Sequence, residues 1–355
     1  MASSIDQSAW RDAFLKEIDR YALETPNRVV TSVFFGGGTP SLMDPSTVDA
    51  VINAIASKWS LSNNVEITLE ANPTSIEAAK FVDYREAGIN RVSIGVQALN
   101  NADLKALGRL HTAEEALNAV EIGRSTFENV SFDLIYARQH QSLQEWESEL
   151  TQALSYDPTH LSLYQLTIED GTAFGDRYRR GTLLGLPEED LSADMYFATQ
   201  DLCHSHSLPA YEVSNHANTG HESQHNQIYW RGGDYIGIGP GAHGRLTIGN
   251  ARIATETFLT PGEWLTAAGN GNGDLHREKL PAIVVNQETL MMGLRMTSGV
   301  DFRTVDSKFI NWQKLQNLQD MGFLELENDI LKTSNAGRPL LNHILREIWS
   351  DEHNT

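Results

Sequence analysis

Residues Val29–Ser41 spell VVTSVFFGGGTPS, and this stretch decides the fold. Its first seven residues are mostly β-branched or aromatic, which predicts a strand, and the glycines that follow end it. A tight strand-to-helix turn would also use flexible residues, but three consecutive glycines exceed what such a turn needs. We therefore favour a loop in which the backbone amides of Gly36–Thr39 approach a ligand without obstruction by side chains.

Strand and helix signals alternate outward from this stretch. Further strands are predicted at Val65–Glu70, Arg91–Val96, Val130–Tyr136 and His160–Leu166. Helices are predicted around Trp10–Ile18, after Asp44–Pro45, from Ser75 to Ala87, and after the capping boxes Thr112–Glu115 and Ser142–Glu145. This alternation predicts an α/β fold with a parallel sheet, as a complete or partial barrel or as an open doubly wound sheet. The apolar strand centres predict burial of both sheet faces.

Polar residues follow the predicted strands at their carboxyl ends. They are Gly36–Ser41, Glu70–Pro73, Gln97, Asp133 and Gln165. In both parallel architectures the functional residues gather at this edge of the sheet. A purely structural sheet has no reason to end its strands in this way, so we expect a binding site there.

Composition and charge narrow the class of protein. The chain has 355 residues, 40% of them hydrophobic and 21% charged, a formal net charge of −20 and one cysteine. Without a run of Lys and Arg, this charge argues against a nucleic-acid partner. The sequence shows neither a secretory signal nor an apolar run of about 20 residues, and a single cysteine fits a reducing compartment. These features predict a cytoplasmic protein.

The pattern changes beyond about residue 170. Gly232–Gly244 is too rich in glycine for a continuous helix, and Gly269–Asp274 predicts a loop or linker. Helices near Asn286–Met296 and Pro339–Trp349, with short strands between them, predict a winged-helix-like α+β module, although the acidic charge makes DNA binding doubtful. We expect a barrel over 1–215, a segment over 216–275 that packs on it, and the C-terminal module over 276–355.

Several segments together resemble the oxygen-independent coproporphyrinogen III oxidase family of radical S-adenosylmethionine (SAM) proteins, and most closely its haem-chaperone branch. They are Phe34–Leu42, Thr68–Pro73, Asn90–Gln97, Leu107–His111, Phe132–Ala137, Leu161–Thr167, Tyr211–His216 and His225–His243. A lone Gly-Gly-Gly-Thr-Pro would be weak support, but these segments lie in order with strand–helix spacing. The resemblance implies a partial (β/α) radical SAM barrel that lacks its first strand.

The resemblance also implies SAM as a cofactor. The matching positions are Gly36, Gly37, Gly38, Thr39, Glu70, Gln97, Arg109 and Asp133. A carboxylate suits the ribose hydroxyls or the ammonium group of SAM, and an arginine can hold its carboxylate. Without the resemblance, a structural ion pair between Arg109 and Asp133 would be as good an interpretation.

The segment His225–Trp230, HNQIYW, matches the His-Asn-x-x-Tyr-Trp motif of the haem-chaperone branch. On its own, a histidine beside Tyr and Trp is more often a packing residue. The resemblance implies that His225 is an axial ligand of haem iron and that aromatic neighbours cover the macrocycle. It implies haem and a haem-acceptor protein as partners. It leaves open whether the protein forms a homodimer. A peripheral membrane contact is also left open, but no residue of the sequence supports it.

The other histidines and the cysteine give little support for a metal site or a redox site. His204, His206, His216, His221 and His243 lack the spacing of a structural zinc site. Cys203 lies in a predicted helix and is expected to be a small buried thiol without a redox partner.

Relatives in this family carry a Cys-x-x-x-Cys-x-x-Cys loop ahead of the first helix, whose thiolates bind a [4Fe–4S] cluster. The present sequence contains no such loop. Either a misassigned start has removed it, which we favour because loss of a strand exposes a sheet edge, or the motif has been lost. The alternatives to a haem chaperone are therefore a coproporphyrinogen III oxidase, whose radical chemistry needs that cluster, and a catalytically inactive relative.

Overall fold

A six-stranded sheet organises the first two thirds of the chain in the computed structural model, which describes residues 6–171 and 173–349. Its strands are β1 (Val29–Phe35), β2 (Ser60–Ala71), β3 (Arg91–Gln97), β4 (Asn129–Tyr136), β5 (His160–Gln165) and β6 (Asn215–Ala217). They lie side by side in chain order, the first five parallel and β6 antiparallel to β5. The sheet curls into a half-barrel, so the predicted partial barrel is confirmed.

One helix precedes β1, and the others connect the successive strands. The helices are α1 (Gln7–Glu24), α2 (Pro45–Lys58), α3 (Ser75–Ala78), α4 (Phe81–Glu86), α5 (Asn101–Ala106), α6 (Ala113–Thr126), α7 (Leu143–Leu154), α8 (Ala173–Arg179) and α9 (Glu189–Ser205). The two predicted capping boxes form, at Thr112 before α6 and at Ser142 before α7. The single helix predicted over 75–87 is instead two short helices. Between them the Lys80 N–H donates to the carbonyl of Glu77, three residues back, which tightens the chain.

The two faces of the sheet differ in polarity. One face packs under the helices and forms the main hydrophobic core, with Ile67, Leu69, Val92, Ile94, Phe132, Leu134, Leu161 and Leu163. Alternate residues point to the opposite face, here called the inner face: Ser32, Phe34, Glu66, Thr68, Glu70, Arg91, Ser93, Gln97, Ser131, Asp133, Ser162 and Tyr164. Both faces are buried along much of their length, as predicted: on the inner face Glu66, Thr68 and Arg91 are 6%, 1% and 3% exposed. The inner face is largely polar because it lines the half-barrel and packs on little of the helical core.

A second, antiparallel sheet follows the half-barrel. Its elements are α10 (Gln224–Trp230), β7 (His243–Ile248), β8 (Ala251–Thr257), α11 (Pro261–Gly269) and β9 (Asp274–Lys279). Buried Trp264 of α11 packs on Trp10 and Phe14 of α1, with ring centroids 5.6 and 5.3 Å away. The segment therefore closes on the first helix. The residues between α10 and β7 are not helical, as the glycines predict.

The C-terminal module has its own hydrophobic core around Leu290, Leu315, Leu331 and Ile344. Its elements are α12 (Ala282–Gly293), β10 (Val300–Asp301), α13 (Trp312–Asp320), β11 (Leu324–Glu327), β12 (Ile330–Thr333) and α14 (Leu341–Ile348). Helices around a small antiparallel sheet confirm the α+β module. The domain boundaries at 215 and 275 stay a prediction. Among the described residues, no helix combines the length and the apolar character that crossing a bilayer requires.

Candidate functional site

The glycine loop begins where β1 ends. Gly37 and Gly38 have φ angles of 75° and 50°, a conformation that favours glycine, and the space around both is open. Gly36 is required for another reason, because a Cβ there would lie 2.4 Å from Cε1 of Phe34. Backbone conformation and this close approach account for the three glycines without a ligand. They also leave the loop amides exposed beside the carboxyl ends of the strands.

Glu70, near the end of β2, is tied to this loop. The Gly37 N–H donates to its Oε2 at 3.0 Å. Burial raises the pKa of the Glu70 carboxyl, and the hydrogen bond from Gly37 opposes the rise. The structure thus brings Glu70 together with the glycine loop, as expected from their positions at neighbouring strand ends. Thr39 completes the loop and accepts from the Leu42 N–H through its carbonyl.

Gln97, the last residue of β3, and Asp133, within β4, form a second group on the inner face. Gln97 has a φ of 68° at an irregularity in the pairing of β3 with β4, an unusual conformation for a residue with a side chain. Burial raises the pKa of Asp133 to about 7, and the nearby charge of Arg109 opposes the rise. Arg109 lies on an exposed loop and makes no ion pair within the described part of the chain.

Tyr164 also lies on the inner face and was not singled out by the sequence. Burial raises the pKa of its hydroxyl, and the charges of Asp133, Glu212 and Glu70 add to the rise. The sequence analysis named Gln165 instead. Gln165 is paired with Tyr136 on the opposite face, whereas Tyr164 pairs with Ile135 on the inner face. Strand alternation counted from Asp133 and its partner Ser162 would have identified Tyr164.

These residues fit SAM. Four inner-face atoms are buried without a hydrogen-bond partner in the described structure, and three of them lie on residues of this group or beside it, namely Thr68 Oγ1, Gln97 Oε1 and Asp133 Oδ1; the fourth is Arg91 Nη2. Buried polar atoms are normally satisfied, so this group has unused capacity for a polar ligand. Acceptors such as Asp133 and Glu70 suit an ammonium group or hydroxyls, and the Arg109 guanidinium suits a carboxylate.

His225 lies on α10, which packs across the inner face. Ser223 precedes the helix and its Oγ accepts from the Asn226 N–H at 3.2 Å. The His225 N–H donates to Oε1 of Glu66 on β2, at 3.0 Å. The helix therefore rests on the sheet through its first residues, below the carboxyl ends of the strands. Neither Glu66 nor Phe34 was predicted as a site residue.

The His225 imidazole is enclosed by aromatic rings. It stacks on Phe34 and meets Tyr229 edge-on, with centroids 4.3 and 4.8 Å away. Burial lowers the pKa of His225 to about 4, so the ring is neutral at pH 7. Nδ1 lies 3.3 Å from Ser32 Oγ, and Nε2 makes no hydrogen bond within residues 6–171 and 173–349. When Nδ1 carries the proton and donates to Ser32, Nε2 presents a lone pair.

The far end of α10 contacts the C-terminal module. The Arg295 guanidinium, just after α12, lies over the Trp230 ring at 4.5 Å. It also donates to Glu212 at 3.0 Å, and this carboxylate is fully buried. Helix α10 carries the His225–Trp230 motif and is called the motif helix below. It is therefore held between the half-barrel and the C-terminal module.

Cys203 belongs to the hydrophobic core. It is buried on α9, where burial raises the pKa of its thiol to about 12. The residues present do not fit a [4Fe–4S] cluster, because this thiol is inert and is the single cysteine of the sequence. Within the described residues, no group of three or more His, Cys, Asp or Glu side chains is placed to hold a metal ion. A cavity of about 370 Å³ between α1 and β9 is lined by charges that pair with one another, including Arg20 with Asp274.

The sequence comparisons identify a radical SAM protein, and the fold agrees with this class. Residues 4–152 match the sequence model of the Radical SAM superfamily, and residues 280–340 match that of the HemN C-terminal domain. The structure is similar to coproporphyrinogen III oxidase (HemN) from Escherichia coli, a radical SAM enzyme, with a TM-score of 0.78. That similarity covers 97% of this chain and 84% of the other at 18% identity, so it shows the fold alone.

Sequence relatives define the branch. The chain is 39% identical over 334 residues to the mitochondrial Radical S-adenosyl methionine domain-containing protein 1 of Danio rerio, covering 90% of this chain and 75% of the relative. It is 32% identical over 351 residues to the Heme chaperone HemW of Buchnera aphidicola subsp. Schizaphis graminum, covering 97% and 91%. The chain belongs to the HemW family of radical SAM proteins.

Proposed function

We propose that this protein is a haem-binding chaperone that holds haem through His225 and delivers it to an acceptor protein. One observation carries the proposal: a neutral imidazole among aromatic rings, with Nε2 free of hydrogen bonds in the described structure. Such a nitrogen is a good axial ligand for haem iron, and the rings offer apolar contacts to the macrocycle. Membership of the HemW family, whose Buchnera member is named a haem chaperone, supports the same role.

The inner-face group is proposed to bind SAM. Glu70, Gln97 and Asp133 would accept hydrogen bonds from the ligand, Arg109 would pair with its carboxylate, and the amides of Gly36–Thr39 would lie against its amino-acid end. When bound, SAM supplies a sulfonium centre whose reductive cleavage gives a radical in this superfamily. The proposed haem binding depends on no iron–sulfur cluster, which the residues present do not fit.

Delivery requires that haem be held reversibly. A single imidazole bond on a helix that the sheet positions can be exchanged for ligands of an acceptor, without any covalent attachment to this chain. The identity of the acceptor, the cytoplasmic location and a homodimer stay predictions. The net charge of −20 suits a protein partner with a basic surface better than a nucleic acid.

Haem titration of the purified chain tests the proposal. We expect a Soret shift that saturates, and its loss or strong weakening in His225→Ala. The matched control is His204→Ala, which removes an exposed histidine at the end of α9. No Soret shift in the unsubstituted chain, or the same shift in His225→Ala as in the control, would refute axial ligation by His225.

A further inference from the structure

Glu66 is a buried carboxylate on β2 whose side chain is 6% exposed. Its two oxygens accept four hydrogen bonds, three of them from the start of the motif helix. The donors are Ser223 Oγ and the His225 N–H to Oε1, at 3.3 and 3.0 Å, and the Gln224 N–H and Arg91 Nη1 to Oε2, at 3.1 and 3.4 Å. One side chain of the sheet therefore binds three consecutive residues, among them the proposed haem ligand.

Arg91, on β3, holds this carboxylate in place. Its side chain is 4% exposed, and Nη1 donates both to Glu66 and to the carbonyl of His221 at 3.1 Å. The pair therefore binds the chain on both sides of the bend that leads into α10. The Arg91 guanidinium thereby places a positive charge 3.4 Å from Oε2 of Glu66, and the two side chains form a buried ion pair.

Stability alone is a weak reason for such a pair. Removing two charges from water costs about as much free energy as their attraction returns, so a buried ion pair adds little net stability compared with apolar residues. What a carboxylate with four donors does add is a defined geometry. The N–H groups in the first turn of a helix have no intrahelical partner, and here Glu66 supplies one for two of them.

The register of the sheet extends this geometry to the imidazole. Glu66 on β2 is paired directly with Ser32 on β1. Ser32 Oγ lies 3.3 Å from Nδ1 of His225, while Glu66 binds the backbone N–H of the same residue. Two neighbouring positions of the sheet thus fix His225 at its backbone and at its ring, which determines where Nε2 points.

We propose that Glu66, held by Arg91, is a positioning residue for the haem ligand His225: it fixes the start of α10 on the sheet so that Nε2 faces the iron. This proposal rests on the proposed function, in which His225 ligates haem. Glu66 itself touches no haem. It acts on the ligand as partners of metal-bound histidines do, by restricting orientation.

Glu66→Gln is the direct test, with the complete chain and haem as the probe. The amide keeps the volume but places an NH₂ group where a carboxylate oxygen accepts from the helix. We expect about tenfold weaker haem binding, the usual scale for loss of an orienting partner. We also expect a smaller fraction of low-spin, histidine-ligated haem in the absorption spectrum, which a general loss of stability would not produce in the folded fraction.

Glu149→Gln is the matched control. Glu149 is also buried and also accepts from an arginine, Arg138 at 2.6 Å, and from a backbone amide, that of Leu99 at 2.6 Å. None of its hydrogen bonds reaches α10. The haem affinity and the absorption spectrum of Glu149→Gln should match those of the unsubstituted chain when equal amounts of folded protein are compared.

A double-mutant cycle separates the two proposals. If Glu66 acts through His225, Glu66→Gln should cause no further loss of haem affinity in a His225→Ala background. If His225→Ala alone leaves haem binding unchanged, the assignment of His225 as the haem ligand is wrong. If His225→Ala weakens binding but Glu66→Gln behaves like Glu149→Gln, the ligand stands and the positioning role is overturned.

Ser223→Ala provides the test if Glu66→Gln does not fold. It removes one donor to Glu66 and the acceptor of the Asn226 N–H, and leaves the buried ion pair intact. We expect a severalfold loss of haem affinity with the same decrease in low-spin haem. Unchanged affinity and an unchanged spectrum in this variant would overturn the proposal.

Discussion

The imidazole of His225 lies parallel to the ring of Phe34, with centroids 4.3 Å apart and an interplanar angle of 12°. Phe34 is on β1, two residues before Gly36, whose missing side chain leaves the room that the Phe34 ring occupies. One aromatic ring therefore touches both the glycine loop and the proposed haem ligand. The two parts of the site are neighbours in space, although about 190 residues separate them along the chain.

Replacing Phe34 by leucine should raise the pKa of His225. Burial lowers that pKa to about 4 from a usual value of 6.5, and a smaller, non-planar side chain admits water to one face of the ring. A pH titration followed by NMR of the histidine rings measures the shift. The control is Phe197→Leu, at a partly exposed site on α9. An unchanged His225 pKa in Phe34→Leu would show that the stack does not cause its desolvation.

SAM binding should weaken as the pH falls from 8 to 6. The Asp133 carboxyl has its pKa raised to about 7, so over this range it takes up a proton and stops accepting from a cationic ligand. Calorimetric titration with SAM should show about a tenfold loss in affinity, the change in the ionised fraction. Asp133→Asn should bind weakly with little dependence on pH, whereas Asp201→Asn, at an exposed site, should behave as the unsubstituted chain does. A pH-independent affinity in the unsubstituted chain would count against a role for Asp133.

Arg295→Ala should destabilise the protein by about 3 kcal/mol, because it leaves the buried Glu212 carboxylate without its cationic partner. It also removes the cation that lies over Trp230. Urea unfolding measures the loss. Arg303→Ala is the control, since its ion pair with Asp301 is exposed to solvent and should matter little. Equal effects of the two substitutions would contradict the prediction.

Acid should destabilise the fold through His216. This side chain is buried and donates from Nδ1 to the Leu208 carbonyl, and burial lowers its pKa to about 4. The unfolded chain takes up a proton near pH 6.5, so the stability from His216 is complete above that pH and is lost as the pH falls to 4, by about 3 kcal/mol. Urea unfolding at pH 7 and pH 5 should show a smaller loss in His216→Gln than in the exposed control His343→Gln. Equal losses of unfolding free energy in the two variants would show that His216 does not cause the acid destabilisation.

Local signals predicted most of the elements. Strand β1 has the predicted bounds, and the capping boxes at Thr112 and Ser142 form, because β-branched runs, glycines and reciprocal caps act over a few residues. Residue spacing was less informative about the sheet faces. Apolar strand centres predicted burial of both faces, and Glu66 and Thr68 on the inner face are buried, but the spacing did not show that this face is polar.

The sequence by itself determined the α/β class of the fold, predicted a binding site at the carboxyl ends of the strands and singled out His225 as a candidate ligand. Tertiary structure alone decided which residues surround that histidine. Phe34 and Ser32 reach it from β1, and Glu66 reaches it from β2, because strand register and the path of α10 bring together residues that are far apart in the chain. Such contacts depend on long-range packing, for which a local pattern carries no signal.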